Sequence, residues 1–200
     1  MNKFLILLSI SFLLASCYSS KYMTVAEKNL IQSADAETPF RVLLVTDNAD
    51  SLILRAKAID VDWQVDKDVI QYLISRMKST MNFESGVGIA APQVGISRNI
   101  FLFVRVDKPD APVEVAINPR IISVPDETIC FERDGCLSVP DFAGNSVRYP
   151  WIEVEYMNEN GEKIREKLTG YSRKNNFVAV IFQHEFDHLQ GILFTDKICN

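Results

Sequence analysis

Residues Gln183-His184-Glu185-Phe186-Asp187-His188 form an HExxH motif that includes both histidines of the chain. On a helix, residues four apart lie on the same face, so His184 and His188 can bind one metal ion. The intervening Glu185 can act as general base for a hydrolytic water. The alternative is a solvated helix face that carries two incidental histidines, and a Glu in this position argues against it. The motif therefore predicts a hydrolytic metal site on a C-terminal helix.

A metal site of this kind needs a third protein ligand if one coordination position is to stay open for water. Only twelve residues follow His188 in this chain of 200, and Asp196 is the only carboxylate among them. The third ligand is therefore expected upstream, where a thiolate is the natural candidate. Cys130 and Cys136 both remain open, and the Gly beside Cys136 allows the backbone to approach a ligand closely.

A second segment, Gly86-Val87-Gly88-Ile89-Ala90-Ala91-Pro92-Gln93, consists of small or apolar residues that end in one amide. Its glycines let the backbone come close to a substrate, and the Gln93 side chain can donate a hydrogen bond to a developing oxyanion. Taken alone, a GxG pattern indicates no more than a turn.

The composition is that of an ordinary globular protein. Apolar residues make up 48% of the chain, charged residues 24%, and the net charge is −5. This balance excludes collagen-like and wholly disordered chains, and it argues against a nucleic-acid partner, for which a basic surface is typical. Four cysteines are too few for a scaffold built on disulfides.

Apolar spacing predicts two helices and several strands, and hence an α+β fold rather than alternating βαβ units. Asn176 is the expected cap of the second helix, and the turn at 158–161 makes the last two strands a hairpin. The helices are predicted over 66–83 and 177–189, and the strands over 100–106, 113–118, 152–157 and 163–168.

The N-terminus has the features of an export signal. Lys3 precedes a twelve-residue stretch, Phe4–Ala15, which is apolar except for two serines and too short to span a bilayer comfortably. It ends in Leu-Ala-Ser-Cys17, which resembles the lipobox of bacterial lipoproteins. We expect a signal peptide over 1–16, lipidation at Cys17, and a membrane anchor on the periplasmic or outer-membrane side. An uncleaved apolar helix is the alternative, and an unused signal would leave the protein cytoplasmic.

Residues 17–40 show no sustained period, and they are predicted to be a flexible tether that carries the lipidated Cys17. The sequence changes character at Arg41, so a single catalytic domain is predicted over 41–200. A monomer is expected.

Three segments, GVGIAAPQ, DGCLS (134–138) and QHEFDH, occur in the order that is characteristic of the peptide deformylases. The resemblance extends from about Arg41 to Ile198. It implies a compact α+β fold with antiparallel or mixed sheets around the HExxH helix. It also implies hydrolysis of the formyl group of N-formylmethionyl peptides, which yields formate and a free N-terminal Met.

The resemblance also assigns roles by motif position. It implies one divalent metal ion, with Fe²⁺ expected and Zn²⁺, Ni²⁺ or Co²⁺ able to replace it. The implied ligands are Cys136, His184 and His188. The implied catalytic groups are Glu185 as acid/base, and Gln93 and the backbone N–H of Leu137 at the formyl oxygen, while Gly88 lines the peptide site.

The position of three apolar residues relative to His184 predicts a pocket for the Met side chain. Val180 and Ile181 share or flank its helix face, and Phe177 lies one turn earlier, where packing in the general core is an equal expectation.

The sequence departs from the family pattern in its second motif. Asp134 stands where a Glu is usual, and the shorter side chain is expected to loosen a supporting contact, with Arg148 as the candidate partner. Residues 141–144 offer no Arg where many bacterial relatives bind the peptide with one. A disulfide from Cys130 or Cys199 to Cys136 would also remove the third ligand, if their geometry permits it.

Two other functions remain open at this point. One is an envelope metallohydrolase or peptidase that acts on other N-blocked peptides. The other is a deformylase-like lipoprotein with little activity, against which the complete set of catalytic residues argues.

Overall fold

A computed structural model describes residues 21–199. The predicted signal peptide and Cys17 lie outside the described residues. Short 3-10 turns cover 91–94 and 194–197. The helices are α1 Val25–Ile31, α2 Asn48–Leu54, α3 Trp63–Phe83 and α4 Val178–Leu189. The strands are β1 Gly88–Ala90, β2 Ile100–Val104, β3 Val113–Ser123, β4 Ile129–Cys136, β5 Val139–Arg148, β6 Trp151–Met157 and β7 Lys163–Thr169. None of the helices in 21–199 combines the length and the apolar character needed to cross a bilayer.

Five strands form one antiparallel sheet in the order β1-β2-β3-β6-β7, and β4 and β5 form a separate antiparallel hairpin. In β2, successive side chains point to opposite faces of the sheet. Ile100 and Leu102 pack in the core beneath α3, whereas Phe101 and Phe103 pack against α4. The sheet therefore lies between two helical layers, which explains why β2 is apolar at every position.

The predicted α+β class, with antiparallel sheets and the HExxH helix at the C-terminal end, is confirmed. Helix α4 packs on β1 and β2, so the motif is held against the centre of the fold. The predicted hairpin is also present as β6 and β7. Helix α3 begins earlier than its apolar stripe indicates, because the Asp62 side chain caps it by accepting from the backbone N–H of Gln64 and Val65.

The predicted flexible tether needs correction over residues 21–40. Thr24 and Glu27 form a capping box at the start of α1, and the spacing of these two residues is a helix-start signal in the sequence. Ile31 and Phe40 are buried in the same core cluster as α3. The buried Arg76 of α3 ties this segment down, since it donates to the carbonyl of Ile31 and its guanidinium lies 3.7 Å from the ring centroid of Phe40.

The β4–β5 hairpin contains two cysteines, one near the histidines of α4 and one in a disulfide with Cys199. Cys136 ends β4, while Cys130 near its start forms a disulfide with Cys199, with a Cα–Cα distance of 6.0 Å. Cys136 is the free cysteine of the described residues. The disulfide to Cys136 that the sequence left open is absent from the described residues, because its two candidate partners are joined to each other.

Candidate metal centre and active site

Helix α4 and the end of β4 bring three ligand-type side chains together. The ligand atoms of Cys136, His184 and His188 all lie within 4.8 Å of one another. The Cys136 Sγ lies 3.2 Å from His188 Nε2. His184 and His188 are buried on consecutive turns, with ring centroids 5.1 Å apart. Of the two cysteines that remained candidates for the third ligand, Cys136 is the one beside the histidines.

Asp134 sets the orientation of His184. Its Oδ1 lies 3.0 Å from His184 Nδ1, which leaves Nε2 for the ligand cluster. Its Oδ2 accepts from Arg148 Nη2 at 2.7 Å and from Ser146 Oγ at 2.6 Å. The expected loosening of this contact is wrong, because β4 and β5 are paired and bring Arg148 within reach of the shorter carboxylate.

The Arg148 guanidinium is buried between two carboxylates. Besides Asp134 it contacts Asp187, with Nη1 2.5 Å from Oδ2, and Asp187 in turn accepts from Lys197 Nζ at 2.6 Å. Burial lowers the pKa of Arg148, but the two carboxylates outweigh burial and raise it. Burial raises the pKa of Asp134, yet His184 and Arg148 hold it well below its usual range. The charges that support His184 therefore stay ionised at neutral pH.

The electrostatics of the cluster favour a thiolate at Cys136. Burial alone would raise the pKa of its thiol, but the adjacent imidazoles, His188 foremost, hold it well below its usual value. One thiolate and two imidazole nitrogens form a donor set that suits borderline divalent ions such as Fe²⁺, Co²⁺, Ni²⁺ and Zn²⁺. The residues present thus fit the predicted metal ion.

Glu185 projects into the same site. The side chain is buried, and its Oε2 has no hydrogen-bond partner among the described residues. Burial raises its pKa to about 7. A buried carboxylate with one unpartnered oxygen beside a ligand cluster is poised to accept a proton from a water molecule.

Gly88 makes room for this carboxylate. A Cβ at Gly88 would lie 2.3 Å from Glu185 Oε1 and 2.9 Å from its Cγ. The glycine predicted to line the peptide site does line the cavity, and it has the further effect of letting Glu185 sit against the backbone of β1.

Gln93 points its amide toward the cluster. Its Oε1 accepts from the backbone N–H of Ala90 at 2.8 Å, which fixes the orientation of the amide. Its Nε2 lies 3.6 Å from Cys136 Sγ and 3.3 Å from Ser138 Oγ. Leu137, the other predicted donor, lines the same cavity. The two residues predicted to supply donors therefore line one cavity, although they come from separate segments.

A cavity of about 350 Å³ opens beside the cluster, and it has an apolar wall formed by α4. Phe177, Val180 and Ile181, the predicted pocket residues, all line it. Sequence reasoning missed three further lining residues, Ser85, Phe131 and Arg173. Arg173 lies in the loop before α4, where no periodic pattern marks it.

A model of the polypeptide deformylase family matches residues 42–200 of the chain, a range that includes every residue of the cluster. The chain belongs to the polypeptide deformylase family. This membership confirms the enzyme class predicted from the three motifs, a deformylase that acts on N-formylmethionyl peptides.

Several peptide deformylases resemble the chain in sequence. The peptide deformylase of Thermotoga sp. strain RQ2 is 44% identical over 131 residues, which cover 66% of this chain and 73% of the relative. That of Christiangramia forsetii is 38% identical over 159 residues, which cover 73% of this chain and 76% of the relative.

Solved deformylase structures share the fold. The crystal structure of peptide deformylase from Thermotoga maritima covers 81% of this chain and 99% of its own, with a TM-score of 0.65 and 36% identity. A Met-Ala-Ser-bound class I type b peptide deformylase from Acinetobacter baumannii has the same coverage, a TM-score of 0.69 and 34% identity. Deformylases that carry a bound peptide are thus among the structures that this chain resembles.

Proposed function

We propose that this chain hydrolyses the formyl group of N-formylmethionyl peptides at the cluster of Cys136, His184 and His188. The observation that carries the proposal is the cluster of these three ligands beside a cavity that Glu185 and Gln93 line. Fe²⁺ is the metal that we propose, with Zn²⁺, Ni²⁺ or Co²⁺ as replacements. When bound, such an ion supplies Lewis-acid chemistry, since it polarises a carbonyl and lowers the pKa of water.

Glu185 carries the proton in this mechanism. It accepts a proton from the attacking water, and it then delivers that proton to the amine that leaves the formyl carbon. Its buried position favours this exchange, because a pKa near neutrality makes both the gain and the loss of a proton accessible. The products are formate and a peptide with a free N-terminal Met.

Gln93 and Leu137 stabilise the oxygen of the formyl group as it gains charge. The backbone N–H of Ala90 holds Gln93 Oε1 and so orients the amide, and Nε2 donates to the formyl oxygen in place of its contact with Cys136 Sγ or Ser138 Oγ. The backbone N–H of Leu137 is the second donor. In comparable oxyanion sites one such donor contributes about 2.7–4 kcal/mol to the stability of the transition state.

The apolar wall of α4 binds the Met side chain of the substrate. Val180 and Ile181 are buried, they line the cavity, and they offer no hydrogen-bonding group to a competing polar side chain.

The rate on three peptides tests this function. The metal-loaded protein is expected to release formate from N-formyl-Met-Ala-Ser and to leave both N-acetyl-Met-Ala-Ser and unblocked Met-Ala-Ser intact. Faster cleavage of the acetylated peptide would favour a metallohydrolase of wider range. A metal-loaded protein that cleaves none of the three would favour a lipoprotein with little activity.

We expect Gly88→Ala to abolish most of the activity without loss of metal. The new Cβ would displace the Glu185 carboxylate, and a misplacement of about 1 Å costs on the order of 100-fold in rate. Formate release and metal content, measured on the same preparation, check this. Undiminished formate release by Gly88→Ala would contradict this role of Gly88.

We further propose that the protein is exported and anchored by a lipid on Cys17, as a monomer on the periplasmic or outer-membrane side. The Cys130–Cys199 disulfide supports this location, since structural disulfides persist mainly in oxidising compartments. Metabolic labelling with a fatty acid should mark the native sequence and not Cys17→Ser. An unlabelled cytosolic protein with an intact N-terminus would refute the proposal.

A further inference from the structure

Within residues 21–199, Arg173 is the single lysine or arginine that lines the cavity beside the ligand cluster. The acidic residues that line this cavity are Asp134 and Glu185. Asp134 is already occupied by His184, Arg148 and Ser146, and Glu185 lies buried at the inner end. Arg173 is exposed, so the charge that it adds stands at the mouth of the cavity.

Two backbone carbonyls and two aromatic rings hold the Arg173 guanidinium in place. Its Nη2 donates to the carbonyl of Arg133 at 2.9 Å, and its Nε donates to the carbonyl of Glu132 at 3.4 Å. Its Cζ lies 5.0 Å from the ring centroid of Phe131 and 5.1 Å from that of Phe177. These two rings are stacked with centroids 5.8 Å apart, so Arg173 bridges the two elements that carry them.

The loop that carries Arg173 is closed by its own hydrogen bonds. Ser172 N donates to the carbonyl of Asn176 at 2.9 Å, and Asn175 N donates to the carbonyl of Ser172 at 3.1 Å. The Asn176 side chain bonds to the carbonyl of Thr169 at 2.8 Å and accepts from Val178 N at 2.9 Å. A ligand that meets Arg173 therefore does not have to order a mobile side chain first.

Most of the N–H donors of Arg173 remain available to a ligand. A guanidinium has five N–H donors, and the two backbone carbonyls occupy two of them. The hydrogen bonds of Arg173 go to backbone carbonyls, and no carboxylate of the described residues forms an ion pair with it. The remaining donors form a planar array that matches a carboxylate better than a neutral carbonyl.

We propose that Arg173 binds the C-terminal carboxylate of short N-formylated peptides, so that the enzyme selects free short peptides over chains whose carboxyl end is amidated or distant. The inference rests on the proposed function, because it places the formyl end of the substrate at the ligand cluster and the rest of the peptide toward the mouth. Val180 and Ile181 then select the Met side chain of the peptide, and Arg173 selects the carboxylate at its C-terminus.

Binding of the product peptide tests the inference independently of turnover. Calorimetry compares Met-Ala-Ser with its C-terminal carboxamide on the metal-loaded protein. We expect the carboxylate form to bind about tenfold more tightly, which corresponds to about 1.4 kcal/mol. The preference should shrink at 0.5 M salt, because exposed charge pairs are screened. A native protein that shows no preference at low salt would overturn the inference.

Two variants assign the preference to one side chain. Arg173→Gln is expected to bind both peptides within about twofold of each other. Lys174→Gln is the matched control, since it removes the same charge from the same loop at a residue that does not line the cavity, and it should keep the tenfold preference. Thermal stability and metal content establish that both variants are folded. An undiminished preference in Arg173→Gln would overturn the assignment.

Formate release from N-formyl-Met-Ala-Ser and its carboxamide separates this inference from the proposed function. If the metal-loaded native protein releases formate from neither peptide, the result contradicts deformylation and leaves the carboxylate site untouched. The binding preference and its dependence on Arg173 would still decide the carboxylate site.

Discussion

Replacement of Glu185 by Gln is expected to lower kcat by roughly 10²–10⁴-fold while the metal content stays unchanged. The amide is close in shape to the carboxylate, so the cavity and its contact with Gly88 are preserved. What is lost is the ability to take a proton from water and return it to the leaving amine. Because Glu185 is outside the ligand cluster, its replacement should lower kcat without lowering the metal content.

The same carboxylate sets the acid side of the pH profile. Burial raises the pKa of Glu185 to about 7, so its base form is lost as the pH falls through that value. A bound dication nearby favours the carboxylate and so lowers this pKa. In the metal-loaded enzyme, kcat/KM should therefore rise with pH, and the midpoint of the rise should lie at or below pH 7. Glu153→Gln, on β6 and outside the cavity, is the control for the loss of a carboxylate, and it should keep both rate and profile. Near-native turnover in Glu185→Gln would refute its role as base.

Replacement of Cys136 by Ala is expected to remove most of the bound metal, and with it the activity. Loss of a residue that only hydrogen-bonds to a metal ligand costs about 10–100-fold in metal affinity, and loss of the ligand itself should cost at least as much. Elemental analysis of protein prepared without air should find about one divalent ion per native chain. The variant should fall far below that level.

The other two cysteines supply the control for this experiment. A double variant, Cys130→Ser with Cys199→Ser, removes the disulfide and leaves the ligand cluster intact. It should keep its metal when purified at low temperature, although loss of such a crosslink destabilises a fold by about 2–4 kcal/mol. Undiminished metal in Cys136→Ala would contradict the assignment of Cys136 as a ligand.

The sequence by itself determined the features that depend on local spacing. His184 and His188 lie four residues apart, so any helix brings them to one face with Glu185 beside them. The apolar stripe of α3 and the alternation of β6 and β7 also follow from local periods, and the structure has these elements. Even α1, which was missed, carries a local signal in the capping box of Thr24 and Glu27.

Only the tertiary structure decided which residues meet these local elements from elsewhere in the chain. Cys130 and Cys136 lie on one strand six residues apart, where regular alternation would place them on one face. The register of β4 on β5 shifts between them, and the first is bonded to Cys199 whereas the second lies at the histidines. The fit of Gly88 against Glu185 and the position of Arg173 over two aromatic rings likewise arise between distant segments. Side-chain periods report which face of an element is buried, but they do not report what that face will contact. Those contacts depend on how the sheet, the hairpin and the helices pack together.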